Sequence, residues 1–290
     1  MADSPTIVIT GATSGLGQIA AIDLARRGAR LVLTARDKQR AESTLDLIKA
    51  TSPDAEVDIL FGDFNDLTSV AEIGRQIVLR YPHIDVLLNN AGLHAFSPRF
   101  SRDGHAEMVT VNYLAPWLLT HILRDTLIRS APSRIVTVGS DASRRGGAFD
   151  PLATLNDHSA FNARGSSALY GRTKTMATLF SLELARRLAG TGVAVNALCP
   201  GFNVTNLGRE LSFAAPLEKL LKWLKVGDPR KGAALIVKLA VDSAFADVSG
   251  GYYMGGNARQ VSPPPPSEDP AVPPALWVAT EETLSQHGHI

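Results

Sequence analysis

The sequence predicts one α/β domain built on a Rossmann-type, doubly wound parallel sheet. Short β-branched runs alternate with longer amphipathic stretches along most of the chain. These runs are apolar at successive positions, which is typical of parallel strands that are covered on both faces. A glycine-rich turn follows the first run. Because crossovers between parallel strands are right-handed, the pattern indicates helices on both faces of one sheet.

The predicted elements follow each other in a regular order. The strand "TIVIT" (6–10) precedes the helix "GQIAAIDLARRG" (17–28), whose last residue, Gly28, is a typical helix C-cap. Further strands are predicted at 30–35, 56–63, 83–90, 134–140 and 192–201, and further helices at 37–50 and 67–81.

The character of the chain changes after "GGYYMGGNA" (250–258). The stretch "VSPPPPSEDPAVPP" (261–274) is rich in proline, which lacks a backbone N–H, and it is predicted to continue neither a sheet nor a helix. We therefore expect a main domain over residues 1–258 and a proline-rich C-terminal arm over 259–290. This arm leads to a short amphipathic segment at 275–284.

Composition excludes several classes of function. The 290 residues carry a net charge of +1, which provides no electrostatic footprint for nucleic acid or for an acidic membrane surface. The single cysteine, Cys199, cannot form an intrachain disulfide. The sequence shows no apolar run of transmembrane length and no signal-peptide pattern. The seven histidines lack ligand-like spacing, so no metal is predicted. We expect a cytoplasmic protein without a nucleic-acid partner or a membrane span.

The glycine-rich turn "VITGATSGLG" places Gly11, Gly15 and Gly17 between the first strand and the first helix. Such a turn allows a close backbone approach to a pyrophosphate, whose charge then faces helix N-terminal amides. The spacing is GxxxGxG rather than the GxGxxG of many dinucleotide-binding folds. A glycine-rich turn without a ligand is the alternative, and the strand–turn–helix position favours a phosphate cradle.

Tyr170 and Lys174 are four residues apart in "SSALYGRTK", so a helix would place both side chains on one face. Taken alone, this pair is more often an ordinary feature of a surface helix than a catalytic site. Other motifs in the chain decide between these two interpretations.

Six motifs together resemble the short-chain dehydrogenase/reductase family, over about residues 5–258. "TGATSGLG" resembles the family's TGxxxGxG signature, and "PGFNVT" (200–205) resembles its PGxVxT segment. The other motifs, in the family's order, are "NNAG" at 89–92, Asn112, Ser140 after a strand, and Tyr170-x-x-x-Lys174. The 30-residue separation of Ser140 and Tyr170, "TAR" after the second strand and "LWVATEE" in the tail resemble the retinol dehydrogenase-like branch.

The resemblance implies a catalytic set. Tyr170 would be the general acid/base, and Lys174 would lower the pKa of its phenol and bind the nicotinamide ribose. Ser140 would donate a hydrogen bond to the substrate oxygen, although Ser143 is nearby, and Asn112 would hold a water behind Lys174. Since a free phenol titrates near pH 10, near-neutral catalysis requires a downward shift of about three units, or roughly 4 kcal/mol.

The cofactor implied is NADP(H). Arg36 follows the second strand, where a guanidinium suits a 2′-phosphate; the alternative is a solvated arginine at a helix whose N-cap is Asp37. By resemblance, Asp63 would contact the adenine, Phe64 and Asn203 would act through their backbone, and Thr205 would contact the nicotinamide or the phosphates. The residues expected at the cofactor are Gly11, Thr13, Ser14, Gly15, Leu16, Gly17, Arg36, Asp63, Phe64, Asn90, Ala91, Gly92, Tyr170, Lys174, Gly201, Asn203 and Thr205.

The predicted activity is hydride transfer between the nicotinamide and a ketone, an aldehyde or a secondary alcohol. The segment at about 203–229 matches the family's substrate lid, and its Leu, Phe and Trp side chains indicate either an apolar or bulky substrate or burial against the domain. Two alternatives remain: a non-catalytic NADP(H)-binding sensor or partner protein, and a different reaction, such as enoyl reduction, on the same scaffold. A homodimer through helices near 103–130 and 167–189 and a monomer are both compatible with the sequence.

Overall fold

The computed structural model describes residues 4–145, 150–157, 161–201 and 228–290, and the structural statements below concern these ranges. Asn203, Thr205 and nearly all of the predicted lid (203–229) lie outside the described residues.

One sheet of eight strands forms the centre of the described chain. Its order is β3-β2-β1-β4-β5-β6-β7-β8, with β8 antiparallel to β7 and every other neighbouring pair parallel. The strands are β1 (Thr6–Ile9), β2 (Arg30–Ala35), β3 (Val57–Phe61), β4 (Val86–Asn89), β5 (Ser133–Val138), β6 (Val193–Cys199), β7 (Tyr252–Met254) and β8 (Arg259–Gln260). The six strands and the doubly wound parallel sheet that the sequence predicts are thus confirmed. The short strands β7 and β8 were not predicted from the sequence.

Helices cover both faces of this sheet. They are α1 (Gly15–Arg26), α2 (Lys38–Thr51), α3 (Leu67–Arg80), α4 (Glu107–Val109), α5 (Ala115–Arg129), α6 (Pro151–Leu155), α7 (Ala163–Arg187), α8 (Pro229–Val241) and α9 (Val272–Gln286). A π-helical segment, Thr110–Leu114, joins α4 to α5. The side chain of Asp37 caps α2 by accepting from the backbone N–H of Arg40, so the predicted N-cap is confirmed.

Two apolar cores form because strand side chains alternate between the two faces. Val8 and Leu87 point to a core shared with α3, α5 and α7. Ile7, Ile9 and Leu88 point to the opposite core, which is shared with α1 and α8. The sheet order reverses at β1 and β4, and in open α/β sheets the crevice at such a point is the usual ligand site.

The C-terminal arm joins the main fold rather than extending from it. Residues 259–260 form β8, and α9 begins at Val272, so it includes Pro273 and Pro274 in its first turn, where the missing N–H groups have no intrahelical partner to lose. The sequence predicted no helix within residues 261–274, and this prediction is wrong for residues 272–274. Residues 261–271 form neither helix nor strand.

Trp277 of α9 packs against the domain. The residue is 4% exposed, and its ring lies 5.0 Å from Trp117 and 5.8 Å from Phe180, centroid to centroid. The guanidinium of Arg187 lies 4.4 Å from the Trp277 ring. Thus α9 covers part of the α5 and α7 surface for which the sequence left dimerisation open.

No helix within the described ranges has both the length and the apolar character needed to cross a membrane.

We predict that Trp277→Ala lowers the free energy of unfolding by about 3–5 kcal/mol, because it opens a cavity between α9 and α7. Urea denaturation followed by circular dichroism measures this loss. Val278→Ala is the matched control, since this neighbouring side chain is 47% exposed and its truncation should change stability by less than about 0.5 kcal/mol. Equal effects of the two substitutions would contradict the packing of α9.

Candidate active site

A cavity of about 650 Å³ lies at the carboxyl ends of the central strands. Of the predicted site residues in the described ranges, all but Asn112 line this cavity. They are Gly11, Thr13, Ser14, Gly15, Leu16, Gly17, Arg36, Asp63, Phe64, Asn90, Ala91, Gly92, Ser140, Tyr170, Lys174 and Gly201. Residues that the sequence analysis did not single out also line it, and among them are Arg40, His94, Arg99 and Glu107.

The glycine turn is folded tightly against the end of β4. Gly11 has φ +67°, and a Cβ built on Gly17 would lie 2.5 Å from the Gly11 carbonyl oxygen, so both positions require glycine. The side-chain amide of Asn90 donates to the carbonyls of Thr10 (2.9 Å) and Gly11 (3.1 Å). Asn90 therefore lines the cavity, and its amide holds the glycine turn in shape.

The N-terminus of α1 faces the same cavity through Gly15, Leu16 and Gly17. The first amides of a helix have no intrahelical acceptor and carry a partial positive charge. No acidic side chain lies in the first turn of α1. This end of the cavity is therefore suited to an anionic phosphate group.

Two guanidinium groups and two carboxylates line the cavity at the ends of β2 and β3, and we call this end, together with the glycine turn, the nucleotide side. The Nη1 atom of Arg36 lies 3.7 Å from Oδ1 of Asp63, and both side chains are partly exposed. Arg40 lines the cavity from the first turn of α2, and Asp37 caps that helix. The sequence signal for Arg40 was weak, since it is one of several charged residues in "DKQRAE".

Tyr170 lies buried beside Ser140, with 8% of its surface exposed. Burial raises the pKa of its phenol, and a hydrogen bond with the Ser140 side chain opposes this increase. The direction is opposite to the shift that the sequence analysis expected, because removal from water favours the neutral phenol. Ser143 is turned away, since its hydroxyl donates to the Ser140 carbonyl at 2.6 Å.

Lys174 is 5% exposed, and its ammonium donates to the carbonyl of Val138 at 3.1 Å. Burial lowers the pKa of Lys174 to about 8. A Cβ built on Gly92 would lie 2.9 Å from Nζ of Lys174, so the backbone of the "NNAG" motif passes directly beside this ammonium.

Asn112 lies behind Lys174 in the π-helical segment, outside the cavity lining. Its amide donates to the Leu93 carbonyl (2.9 Å) and to Thr173 Oγ1 (3.0 Å), and its Oδ1 accepts from the Leu93 N–H (2.8 Å). These three bonds tie the π-helical segment to α7 and to the loop after β4. The predicted role of Asn112 in holding a water stays a prediction. Oδ1 has a second lone pair, which would accept a hydrogen bond from such a water.

His94 contacts Tyr170 directly. The two rings stack with centroids 4.6 Å apart and planes at 12°. The Ser166 hydroxyl donates to the Ala95 carbonyl, so in its 3.0 Å contact with His94 Nε2 the histidine must be the donor. The sequence signal for His94 was only its place two residues after "NNAG".

We predict that Lys174→Met stabilises the protein by about 1–3 kcal/mol at pH 7, because a lysine with a pKa near 8 in the folded state and about 10.5 in the unfolded state opposes folding while it is charged. Between these two pKa values the unfolded chain binds more protons. The stability of the native protein should therefore rise with pH from about 8 to 10.5, and its difference from the variant should shrink.

Urea denaturation of both proteins between pH 7 and 10.5 measures this difference. Lys38→Met is the control, because this side chain is 81% exposed and should show no such pH dependence relative to the native protein. A Lys174→Met variant that is less stable than the native protein at pH 7 would contradict a desolvated ammonium.

Comparison with known proteins identifies the same architecture. Residues 5–152 match the family described as short chain dehydrogenase. Human retinol dehydrogenase 13 is 36% identical over 278 residues, which cover 94% of this chain and 82% of that protein.

Two crystal structures extend the similarity over the whole fold. One, of a protein from Mycobacterium paratuberculosis, has a TM-score of 0.75 and 28% identity over 98% of this chain and 96% of the other. Another, of a protein from Beutenbergia cavernae with bound NADP at low occupancy, has a TM-score of 0.68 and 28% identity over 87% of this chain and 94% of the other. The chain therefore belongs to the short-chain dehydrogenase/reductase family of oxidoreductases, in its retinol dehydrogenase-like branch.

Proposed function

We propose that this protein is an NADPH-dependent carbonyl reductase or alcohol dehydrogenase that acts on a ketone, an aldehyde or a secondary alcohol. The observation that carries the proposal is the convergence of Ser140, Tyr170 and Lys174 on one cavity that also contains the glycine turn and the N-terminus of α1. A location in the cytoplasm remains a prediction from the sequence.

The nucleotide side of the cavity fits a dinucleotide phosphate. Gly11 and Gly17 pack so closely against the Ala91 backbone and the Asn90 side chain that neither position has room for a Cβ, and this close packing gives the turn its tight shape. The first amides of α1 would face a pyrophosphate bound at this turn. Arg36 and Arg40 would receive a 2′-phosphate, and Asp63 would remain for the adenine. The Beutenbergia cavernae relative with bound NADP supports this choice.

Within the catalytic set, bound NADPH would supply the hydride. Tyr170 would supply the proton to the carbonyl oxygen, and Ser140 would donate a hydrogen bond to the same oxygen. Burial keeps Tyr170 in the protonated form that a proton donor needs, but it also makes the phenol a weaker acid. The positive charge of Lys174 would have to lower the phenol pKa as the proton leaves. Lys174, whose pKa is about 8, stays mainly charged at pH 7 and would stabilise the phenolate that remains.

The part of the cavity around Ser140 and Tyr170 would suit a substrate with an apolar body. Leu93, Val111 and Ala142 line this cavity beside the catalytic residues. The name of the similar human retinol dehydrogenase 13 points to an apolar alcohol for that protein. An NADP(H)-binding protein without catalysis is less well supported, because binding alone does not require a tyrosine, a serine and a lysine together in one cavity.

We predict that Arg36→Ala weakens NADPH binding about tenfold or more, because a charge-assisted hydrogen bond to the 2′-phosphate is lost. NADH binding should change by less than about threefold, since NADH lacks this phosphate. Intrinsic fluorescence titration measures both affinities. Lys38→Ala is the matched control, because Lys38 lies in the same region outside the cavity lining. Equal losses of NADPH and NADH affinity would contradict the assignment of Arg36.

We predict that Tyr170→Phe lowers kcat for ketone or aldehyde reduction at least about 100-fold, because the proton donor is removed while the ring remains. NADPH oxidation with all-trans-retinal and decan-2-one measures the rate, and fluorescence titration should show nearly unchanged NADPH binding. A variant that retains the native rate, or a native protein that binds NADPH and reduces neither compound nor a wider carbonyl panel, would count against the proposed activity.

A further inference from the structure

Arg99 and Glu107 bring opposite charges into the wall of the catalytic cavity. Both residues line it together with Ser140 and Tyr170. They are eight positions apart in the sequence, with no helical spacing, and a hairpin turn places them side by side. The backbone N–H of Glu107 donates to the Arg99 carbonyl at 2.8 Å.

The two side chains form a close ion pair. Nε of Arg99 donates to Oε2 of Glu107 at 2.5 Å, and the Glu107 side chain is only 9% exposed, whereas that of Arg99 is 41% exposed. A buried carboxylate needs such a partner because it has left water. The Nε–H is one of the five N–H donors of the guanidinium.

The hairpin has other anchors away from the cavity. Asp103 lies at its tip, where Oδ2 is 3.3 Å from Nε2 of His289 near the C-terminus. Arg102 lies 3.2 Å from Asp66, at the start of α3. Since these contacts already hold the turn from outside, attachment of the hairpin does not explain why a charged pair faces the cavity.

The chemistry of the pair favours a neutral polar group over an anion. The charges of Arg99 and Glu107 balance, so an added carboxylate would meet the Glu107 carboxylate as well as the guanidinium. A hydroxyl group can accept from the guanidinium and donate to the carboxylate at the same time. The apolar neighbours Leu93 and Val111 suit a hydrocarbon part of the same molecule.

We propose that Arg99 and Glu107 form a specificity-determining subsite that binds a neutral hydroxyl group of the substrate, separate from the carbonyl that is reduced. This inference rests on the proposed function. The substrate class is accordingly an amphipathic hydroxy ketone or hydroxy aldehyde rather than a wholly apolar compound.

The test compares methyl ketones of eight to twelve carbons whose far ends carry a hydroxyl, a methyl or a carboxylate group. With the native protein and NADPH, kcat/KM at the best-fitting chain length should be about tenfold or more higher for the hydroxyl-ended ketone than for the methyl-ended one. Arg99→Met and Glu107→Gln should each reduce this ratio to within about twofold of unity.

Arg102→Met is the matched control, because this arginine of the same hairpin is 84% exposed and lies outside the cavity lining. It should keep the native ratio. Thermal melting accompanies each variant, and a purely structural pair would lower stability and affect all three ketone classes equally. Such an equal loss, or a preference for the carboxylate, would overturn the inference.

The outcomes for the native protein separate the inference from the proposed function. Reduction of methyl-ended ketones without any hydroxyl preference would overturn only the inference. Reduction of none of these ketones would count against both the proposed function and the subsite that rests on it.

Discussion

The junction between the ends of β1 and β4 is the contact on which the site depends. Thr10 Oγ1 accepts from the backbone N–H groups of Asn90 and Ala91, each at 3.0 Å, and the Asn90 amide returns two bonds to the Thr10 and Gly11 carbonyls. Satisfied backbone groups at the ends of two parallel strands form a rigid base for the turns that follow. The glycine turn and the "NNAG" backbone are positioned together by this network, and Gly92 of that backbone passes directly beside the Lys174 ammonium.

Burial affects the two principal ionisable groups of the site in opposite ways. It favours the neutral form of both, which raises the pKa of Tyr170 and lowers that of Lys174. Both side chains line the same cavity, one helical turn apart on α7. Because burying a charged lysine opposes folding, the surrounding core must compensate, and strained or desolvated groups of this kind are concentrated at functional sites.

The C-terminal arm contributes to the same structure from outside. Helix α9 packs its tryptophan on α5 and α7, and Tyr113 Oη lies 2.6 Å from Thr280 Oγ1. The arm therefore packs against α7, the helix that carries Tyr170 and Lys174. His289 also meets the hairpin that carries Arg99 and Glu107. The C-terminal arm, which the sequence predicted as separate from the main domain, therefore contacts both α7 and the hairpin, two elements that line the cavity.

The sequence by itself determined six of the eight strands that the structure describes, because runs such as "RLVLTA" are apolar on both faces, and it located the tight first turn, where glycines are required. It also identified the residues of the glycine turn and of the strand ends that line the cavity, since their positions follow from a recognisable motif order, but it missed Arg40. Only the tertiary structure decided the direction of the Tyr170 pKa shift, the role of the Asn90 amide and the pairing of Arg99 with Glu107. Burial and contacts between residues distant in sequence are properties of the packed chain, and no local pattern records them.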